Sequence, residues 1–308
     1  MFKTTFKIIL LLLLILPEEL YAQEDPYIIV LGIAQDGGYP HMGCAKECCE
    51  AAWKNPSMQR SVVSLALVDP VSQQWYLLEA TPDIKEQLQL FRHLTSDTYD
   101  YLPRAVFVSH AHIGHYTGLM QFGREVMNTE GLTVYAMPRM KKFLETNGPW
   151  DQLVRLNNIS PVEVHNESEL ALSEEITVRS FIVPHRDEYS ETAAYEIATA
   201  NKKYLFIPDI DKWDRWDKSI IELVKSCDIA FLDGTFYSEG ELSGRNMEDI
   251  PHPFIMETMK VFDNEDYKTR NKIHFIHFNH SNPVLFDESV RQSIIKEGFN
   301  IARQAGKY

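Results

Sequence analysis

The stretch SHAHIGHYTGL, residues 109–119, places His110, His112 and His115 within six positions. It follows an apolar run, RAVFV, that reads as a buried strand. In an extended turn after a strand, residues two apart point the same way, so His110 and His112 can grip one ion. His115 stands at the predicted start of a helix and is aimed back toward the same space. Neutral imidazole nitrogens are good ligands for zinc, iron and related metals. Three of the chain's eleven histidines gathered here argue against unrelated surface residues.

Other metal-type residues recur at the ends of apolar runs. SFIVPH ends in His185, YLFIPD in Asp209, and KIHFIHF supplies His277. Taken singly, each is an ordinary polar residue closing a strand. Taken together, they form a converging set. A metal held by neutral imidazoles keeps its charge, lowers the pKa of bound water to about 7 and polarises a carbonyl or phosphoryl oxygen. That chemistry is hydrolysis of an ester, amide or phosphodiester, with Asp209 holding or orienting the hydroxide. No serine triad motif, P-loop or dinucleotide fingerprint competes. Non-haem iron and oxygen chemistry also suits a histidine-rich site with one carboxylate. A third reading is a shell that binds a ligand without turnover.

The segment GCAKECCEAAW gathers Cys44, Cys48 and Cys49. A disulfide among them would leave one thiol over, whereas a structural zinc needs a fourth ligand. In HFNH, His277 and His280 are three apart, so one can face the active site and the other away. The readings are a Cys3His zinc site of Cys44, Cys48, Cys49 and His280, or a disulfide. Cys227, in VKSCDIAFLD, reads as a buried thiol with no role. Asp36, in the loop QDGGYP, is expected near the metals because its glycine neighbours permit close backbone approach.

The elements that must position these residues are short and β-rich. YIIVLGIA (27–34), SVVSLALVD (61–69) and QWYLLEA (74–80) read as strands, the last two as a hairpin. TPDIKEQLQLFRHL reads as a helix with Thr81 as cap and Pro82 first. RAVFVSH and LTVYAM are strands, HYTGLMQFGREVM a helix, and PRMKKFLETNG a helix ending at Gly148. Residues 151–184 alternate short strands with turns. ITVRSFIVPH, TAAYEIAT, KKYLFIPD, DIAFLDGT and KIHFIHF are further strands, with helices at about 212–226, 252–263 and 284–297. Strand-rich blocks alternating with helices predict an α/β chain with two sheets and helices outside.

The 308 residues carry a formal charge of −14, which argues against a non-specific nucleic-acid binder. The opening MFKTTFKIILLLLLILPEELYAQ has a basic start, an apolar run too short to span a bilayer comfortably, and a small residue before Gln23. Residues 1–22 are expected to be a signal peptide. Residues 23–308 then form one domain, periplasmic or secreted, acting on a small molecule with no nucleic-acid or membrane partner. Oligomeric state is open.

The order HxHxxH, then His, Asp and His, resembles the metallo-β-lactamase superfamily, whose motif is HxHxDH followed by a distant His, a bridging Asp and a final His. The resemblance implies a four-layer αββα sandwich with metals at the sheet edge. It implies one metal on His110, His112 and His185, a second on His115 and His277, and Asp209 between them. Gly114 stands where the family keeps an aspartate that ligates the second metal. The expectation is a weak or absent second metal, a neighbouring carboxylate in the gap, or a catalytically dead member. LGIAQDGGYPHMGC, TPDI and IHFNHSNP resemble the pyrroloquinoline-quinone biosynthesis protein B family. The cysteine loop with a final HxxH also resembles the phosphonate-pathway cyclic phosphodiesterases. Both relatives carry C-x-C-x-x-C; here Lys46 takes the middle position and Cys48 would have to substitute. The active-site ion is then zinc or another divalent transition metal, one or two ions, with iron open, beside the structural zinc. The quinone-protein likeness suggests a mononuclear iron oxidoreductase as the alternative. Asp233, in a DGT turn like that of the relatives, either orients a ligand histidine or only fixes the turn. His252, in IPHPFIMETM, either donates a proton, as a histidine does in related nucleases, or only opens a helix.

Overall fold

Thirteen strands among the described residues build two sheets in a computed structural model that describes residues 24–186, 188–242 and 250–308. The expected signal peptide, 1–22, lies outside the described residues. The first sheet runs in sequence order through β1 (Tyr27–Gly32), β2 (Ser64–Asp69), β3 (Gln74–Leu78), β4 (Ala105–Phe107), β5 (Leu132–Ala136) and β6 (Ile159–Glu163). The second contains β7 (Ser168–Ala171), β8 (Ile176–Ile182), β9 (Ala193–Thr199), β10 (Lys203–Ile207), β11 (Ile229–Asp233), β12 (Ile273–Ile276) and β13 (Asn300–Ile301), again in sequence order. Antiparallel pairing at the start of each sheet gives way to parallel pairing, from β3 onward in the first and from β10 onward in the second.

Period-two alternation explains the layering. On β1, Ile28 and Val30 face the second sheet, packing in one core with Tyr195, Phe206, Phe231 and Phe275. Their neighbours Ile29 and Leu31 face the opposite way, into a core with Ile84, Leu88, Phe91, Leu119 and Phe122. Strands buried on both faces read as unbroken apolar runs, which is why β2 is buried along its whole length. Each fully buried aliphatic or aromatic side chain contributes about 1.5–3 kcal/mol.

The helices are α1 (Glu47–Lys54), α2 (Ile84–Leu94), α3 (Ile113–Tyr116), α4 (Pro138–Thr146), α5 (Trp150–Arg155), α6 (Ile220–Ser226), α7 (Ile255–Val261), α8 (Tyr267–Arg270) and α9 (Glu288–Lys296). Several differ from expectation. The cysteine segment is helical, α1, and α5 occupies a stretch read as strands and turns. α2 begins after Asp83, not at Pro82, because the Thr81 hydroxyl accepts from the Asp83 amide and holds that residue outside the helix. The helix expected over HYTGLMQFGREVM is one α-turn followed by a 3-10 segment, Thr117–Phe122. Over 212–226 a 3-10 turn, Trp213–Arg215, comes first, and the α-helix starts only at Ile220, where Ser219 accepts from the Glu222 amide.

The arrangement brings the C-terminal ends of β4, β8, β10, β11 and β12 to one rim. Long-range ties fix the rim: the Tyr195 hydroxyl donates to Val108 O at 2.8 Å, and the Ala193 amide to Ser109 O at 3.1 Å. The turn carrying His110 is therefore locked to the opposite sheet.

Candidate metal centre

Five strand ends deliver their next polar residues to a common space at this rim. His110 follows β4, His185 follows β8, Asp209 follows β10, Asp233 closes β11 and His277 follows β12. The Asp209 side chain is the hub. Its Oδ2 lies 3.1 Å from His185 Nε2, 3.4 Å from His110 Nε2, 3.8 Å from His115 Nε2, and 4.0 Å from both His112 Nδ1 and His277 Nε2. His110 Nε2 is 2.8 Å from His112 Nδ1, which is 3.3 Å from His185 Nε2. Potential ligand atoms of His110, His112, His185 and Asp209 all lie within 4.8 Å of one another, as do those of Asp36, His115 and His277.

Which nitrogen faces inward is set by what holds the other. His110 Nδ1 meets the Ser109 hydroxyl at 2.8 Å. His185 Nδ1 meets Asp211 Oδ1 at 3.3 Å, and Asp211 is itself held by Arg215. His115 Nδ1 faces Glu79 Oε2 at 3.5 Å. His277 Nδ1 meets the Thr235 hydroxyl at 2.9 Å, and that hydroxyl donates to Asp233 Oδ1 at 2.6 Å. Asp233 therefore acts on a ligand-type histidine through Thr235, while its Oδ2 holds His252 Nδ1 at 2.9 Å. His252 also stands 3.2 Å from Asp209 Oδ1, and α7 begins only at Ile255.

Electrostatics favours a cation in this space. Burial pushes His110 well below the ordinary imidazole value and His277 down to about 4, leaving both rings neutral with lone pairs available. His185 and His252 resist the same burial because carboxylates face them. Asp209, with Asp211, holds His185 up at about 9, and Asp233 and Asp209 hold His252 well above its usual range. Burial opposes ionisation of Asp209, but His185 and His252 outweigh it and keep the carboxyl well below its usual value. Asp36 Oδ1, His115 Nε2, His277 Nε2 and Asp209 Oδ1 are buried with no hydrogen-bond partner. Unpaired buried acceptors converging on one space are costly unless a cation completes them. The residues fit a divalent metal.

Two further findings bear on sequence expectations. Asp36, expected only near the metals, brings Oδ1 to 3.5 Å from His115 Nε2. Glu79, Ser109, Asp211 and Thr235 escaped the sequence reading. Glu79 carried the same signature as the others, a polar residue closing an apolar strand, and is fully buried with φ +72°. Arg186 and Glu188 flank His112 Nε2 at 3.1 and 3.7 Å on the solvent side.

The cysteine cluster lies on the other side of the same β12 loop. Ligand atoms of Cys44, Cys48, Cys49 and His280 lie within 4.8 Å of one another, with Cys44 Sγ and Cys48 Sγ 3.9 Å apart. Thiolates bound at about 2.3 Å to a tetrahedral ion would be about 3.8 Å apart. Burial raises the Cys49 thiol to about 12 and lowers His280 to about 4. His280 Nδ1 is buried and unpartnered. Cys227 is buried apart from this cluster, its thiol facing Val224 O.

A family model described as a β-lactamase superfamily domain matches residues 74–278. The coenzyme PQQ synthesis protein B of Methylorubrum extorquens strain PA1 is 24% identical over 307 residues, covering 90% of this chain and 97% of that protein. A crystal structure of Zn2+-bound PqqB from Methylobacterium extorquens superposes with a TM-score of 0.75 at 20% identity, covering 92% of this chain and 99% of that one. A diphosphatase of the PhnP family gives 0.63 at 18% identity, covering 92% and 97%. With the two-sheet sandwich and the divalent-metal centre at its rim, the family match shows that the chain belongs to the metallo-β-lactamase superfamily, in which it is similar to PqqB.

Proposed function

We propose that the chain is a metal-dependent hydrolase acting on an ester or phosphodiester-type small molecule. The observation that carries this is the convergence of five imidazoles on one oxygen of Asp209. His110, His112 and His185 would hold one divalent ion with Asp209. Once bound, such an ion supplies a water acidic enough to ionise near neutral pH and polarises the substrate oxygen. The protein's own groups do the rest. Asp209 Oδ2 faces the five imidazoles and would orient such a water, while its Oδ1 stands beside His252. His252, its Nδ1 held between two carboxylates that keep the ring protonated, is the donor for the leaving-group oxygen through its Nε2–H. Ser109, Asp211 and Thr235 fix ring orientation so that no reorganisation accompanies binding. Arg186, on the solvent side of His112, is placed to meet an anionic substrate.

The cysteine corner is proposed as a structural zinc site, Cys44, Cys48, Cys49 and His280. The chain is further proposed to be exported with residues 1–22 removed, which N-terminal sequencing of the protein recovered from its host would test.

The hydrolytic reading is tested with purified protein loaded with zinc or manganese and supplied with bis(p-nitrophenyl) phosphate and p-nitrophenyl esters. The expected outcome is turnover that a chelator abolishes and that His185→Ala loses. Absence of turnover with every metal sinks the reading. A second reading is a role in quinone cofactor synthesis, which the names of the relatives support, with a mononuclear iron oxidoreductase as its chemistry. One iron per chain with oxygen consumption would select it.

A further inference from the structure

We infer that Asp36 supplies the carboxylate that position 114 lacks, so that Asp36, His115 and His277, with Asp209, form a second divalent-ion site. The inference rests on the metal-centre reading above and extends it to a ligand drawn from a different part of the chain.

The first observation is steric. A Cβ added at Gly114 would lie 2.2 Å from Asp36 Oδ1 and 2.7 Å from Asp36 Cα. The second distance involves backbone, so a rotamer change could not relieve it. Asp36 occupies the volume that a side chain at 114 would take, and the two positions cannot both carry one here. Gly114 is therefore the complement of the Asp36 loop, and its lack of a side chain costs the site no carboxylate.

The second observation is the chemistry of the occupant. Asp36 Oδ1 is buried and unpaired, and so are the nitrogens it faces, His115 Nε2 and His277 Nε2. Asp36 Oδ1 lies 3.5 Å from His115 Nε2, and all three donor atoms lie within 4.8 Å of one another. The rings are already aimed: Glu79 faces the far nitrogen of His115, and Thr235 holds that of His277. A hydrogen-bonding network that satisfies the outer atoms and leaves three inner ones empty is what a cation site requires.

The third observation is that the loop is anchored to the element carrying His277. The Gln35 amide donates to Phe278 O at 2.8 Å, and the Phe278 amide to Ile33 O at 2.8 Å. The Gly38 amide closes the turn onto Gln35 O at 2.7 Å. Asp36 and His277 thus keep a fixed spacing, although 241 positions separate them in sequence.

The test is metal stoichiometry together with the electron paramagnetic resonance of the manganese-loaded full-length protein, wild type against Asp36→Ala and Asp36→Asn. The wild type is expected to show two exchange-coupled ions at the rim. Asp36→Ala should lose one equivalent relative to wild type and show the six-line spectrum of an isolated ion. Should Asp36→Ala fail to fold by circular dichroism, Asp36→Asn decides, with an expected loss of at least tenfold in affinity for the second ion. An unchanged metal complement in the Asp36 variants overturns the inference. A wild type with one rim ion and no second overturns it while leaving the hydrolase reading intact. A wild type that takes up no rim ion overturns both.

Discussion

The two ligand-rich regions of this molecule sit back to back and are built on opposite principles. The rim centre collects imidazoles from three strand ends around a carboxylate, and its outer side, at His112, is partly open to solvent beside Arg186. The cysteine corner collects three thiols from one short segment and closes with a single imidazole, His280. The corner has four donors and no carboxylate, which suits a closed tetrahedral ion. The rim has more donors than one ion can use and an approach from solvent, which suits an ion that must also take water and substrate. On the proposed function, position in the fold separates an ion for shape from an ion for chemistry.

Four variants would break or sharpen that contrast. The largest effect is expected at the rim. Asp209→Asn should reduce turnover by roughly 10³-fold while the melting temperature moves little, because the hub carboxylate orients the reacting groups. A steady-state assay beside calorimetry reads both, and retained turnover would undo the hub assignment. Cys49→Ser should do the reverse, lowering the melting temperature by about 10 °C and releasing one zinc equivalent, with the kcat of folded protein within about threefold of wild type. Zinc content equal to wild type would remove the structural site. Thr235→Val cuts the link from Asp233 to His277 and should weaken metal affinity by about 10–100-fold, measurable by competition with a chelating dye. An unchanged affinity would make Thr235 a simple turn residue.

The smallest effect concerns His274, on the strand that His277 follows but with no carboxylate facing it. Burial lowers its pKa to about 4, below the ordinary value near 6.5. The unfolded chain therefore takes up this proton first as pH falls. The stability that the neutral ring confers is intact above about 6.5 and is lost between about 6.5 and 4. His274→Phe should flatten the acid limb of a stability–pH curve by on the order of 1–2 kcal/mol. An acid limb identical to wild type would show that burial of this ring is not what the curve reports.

How much of the site could be read from the residues follows from where each one sits. His110, His185 and Asp209 were legible because each closes an apolar run within three residues, so strand geometry alone aims them. His252 and Asp233 were legible as candidates but not as partners, since 19 positions separate them and only the rim unites them. Asp36 was placed near the metals, yet its meeting with Gly114 depends on the long-range tie between Gln35 and Phe278, which no local pattern encodes. Gly114 looked like a missing ligand because a sequence shows what a position lacks and not what fills its space. The α1 helix was missed because its clustered cysteines suggested a loop. The two-sheet layering, by contrast, was carried by runs such as SLALVD, whose unbroken apolar character admits little else.

One backbone angle has a wider consequence. His277 adopts φ +66°, a left-handed bend that turns the chain at the tip of β12 and lets His277 face one cluster while His280 faces the other. The two clusters thus share a hinge pin only two residues long, Phe278 and Asn279. An inserted or deleted residue there would displace His277 and His280 together and misalign both clusters at once.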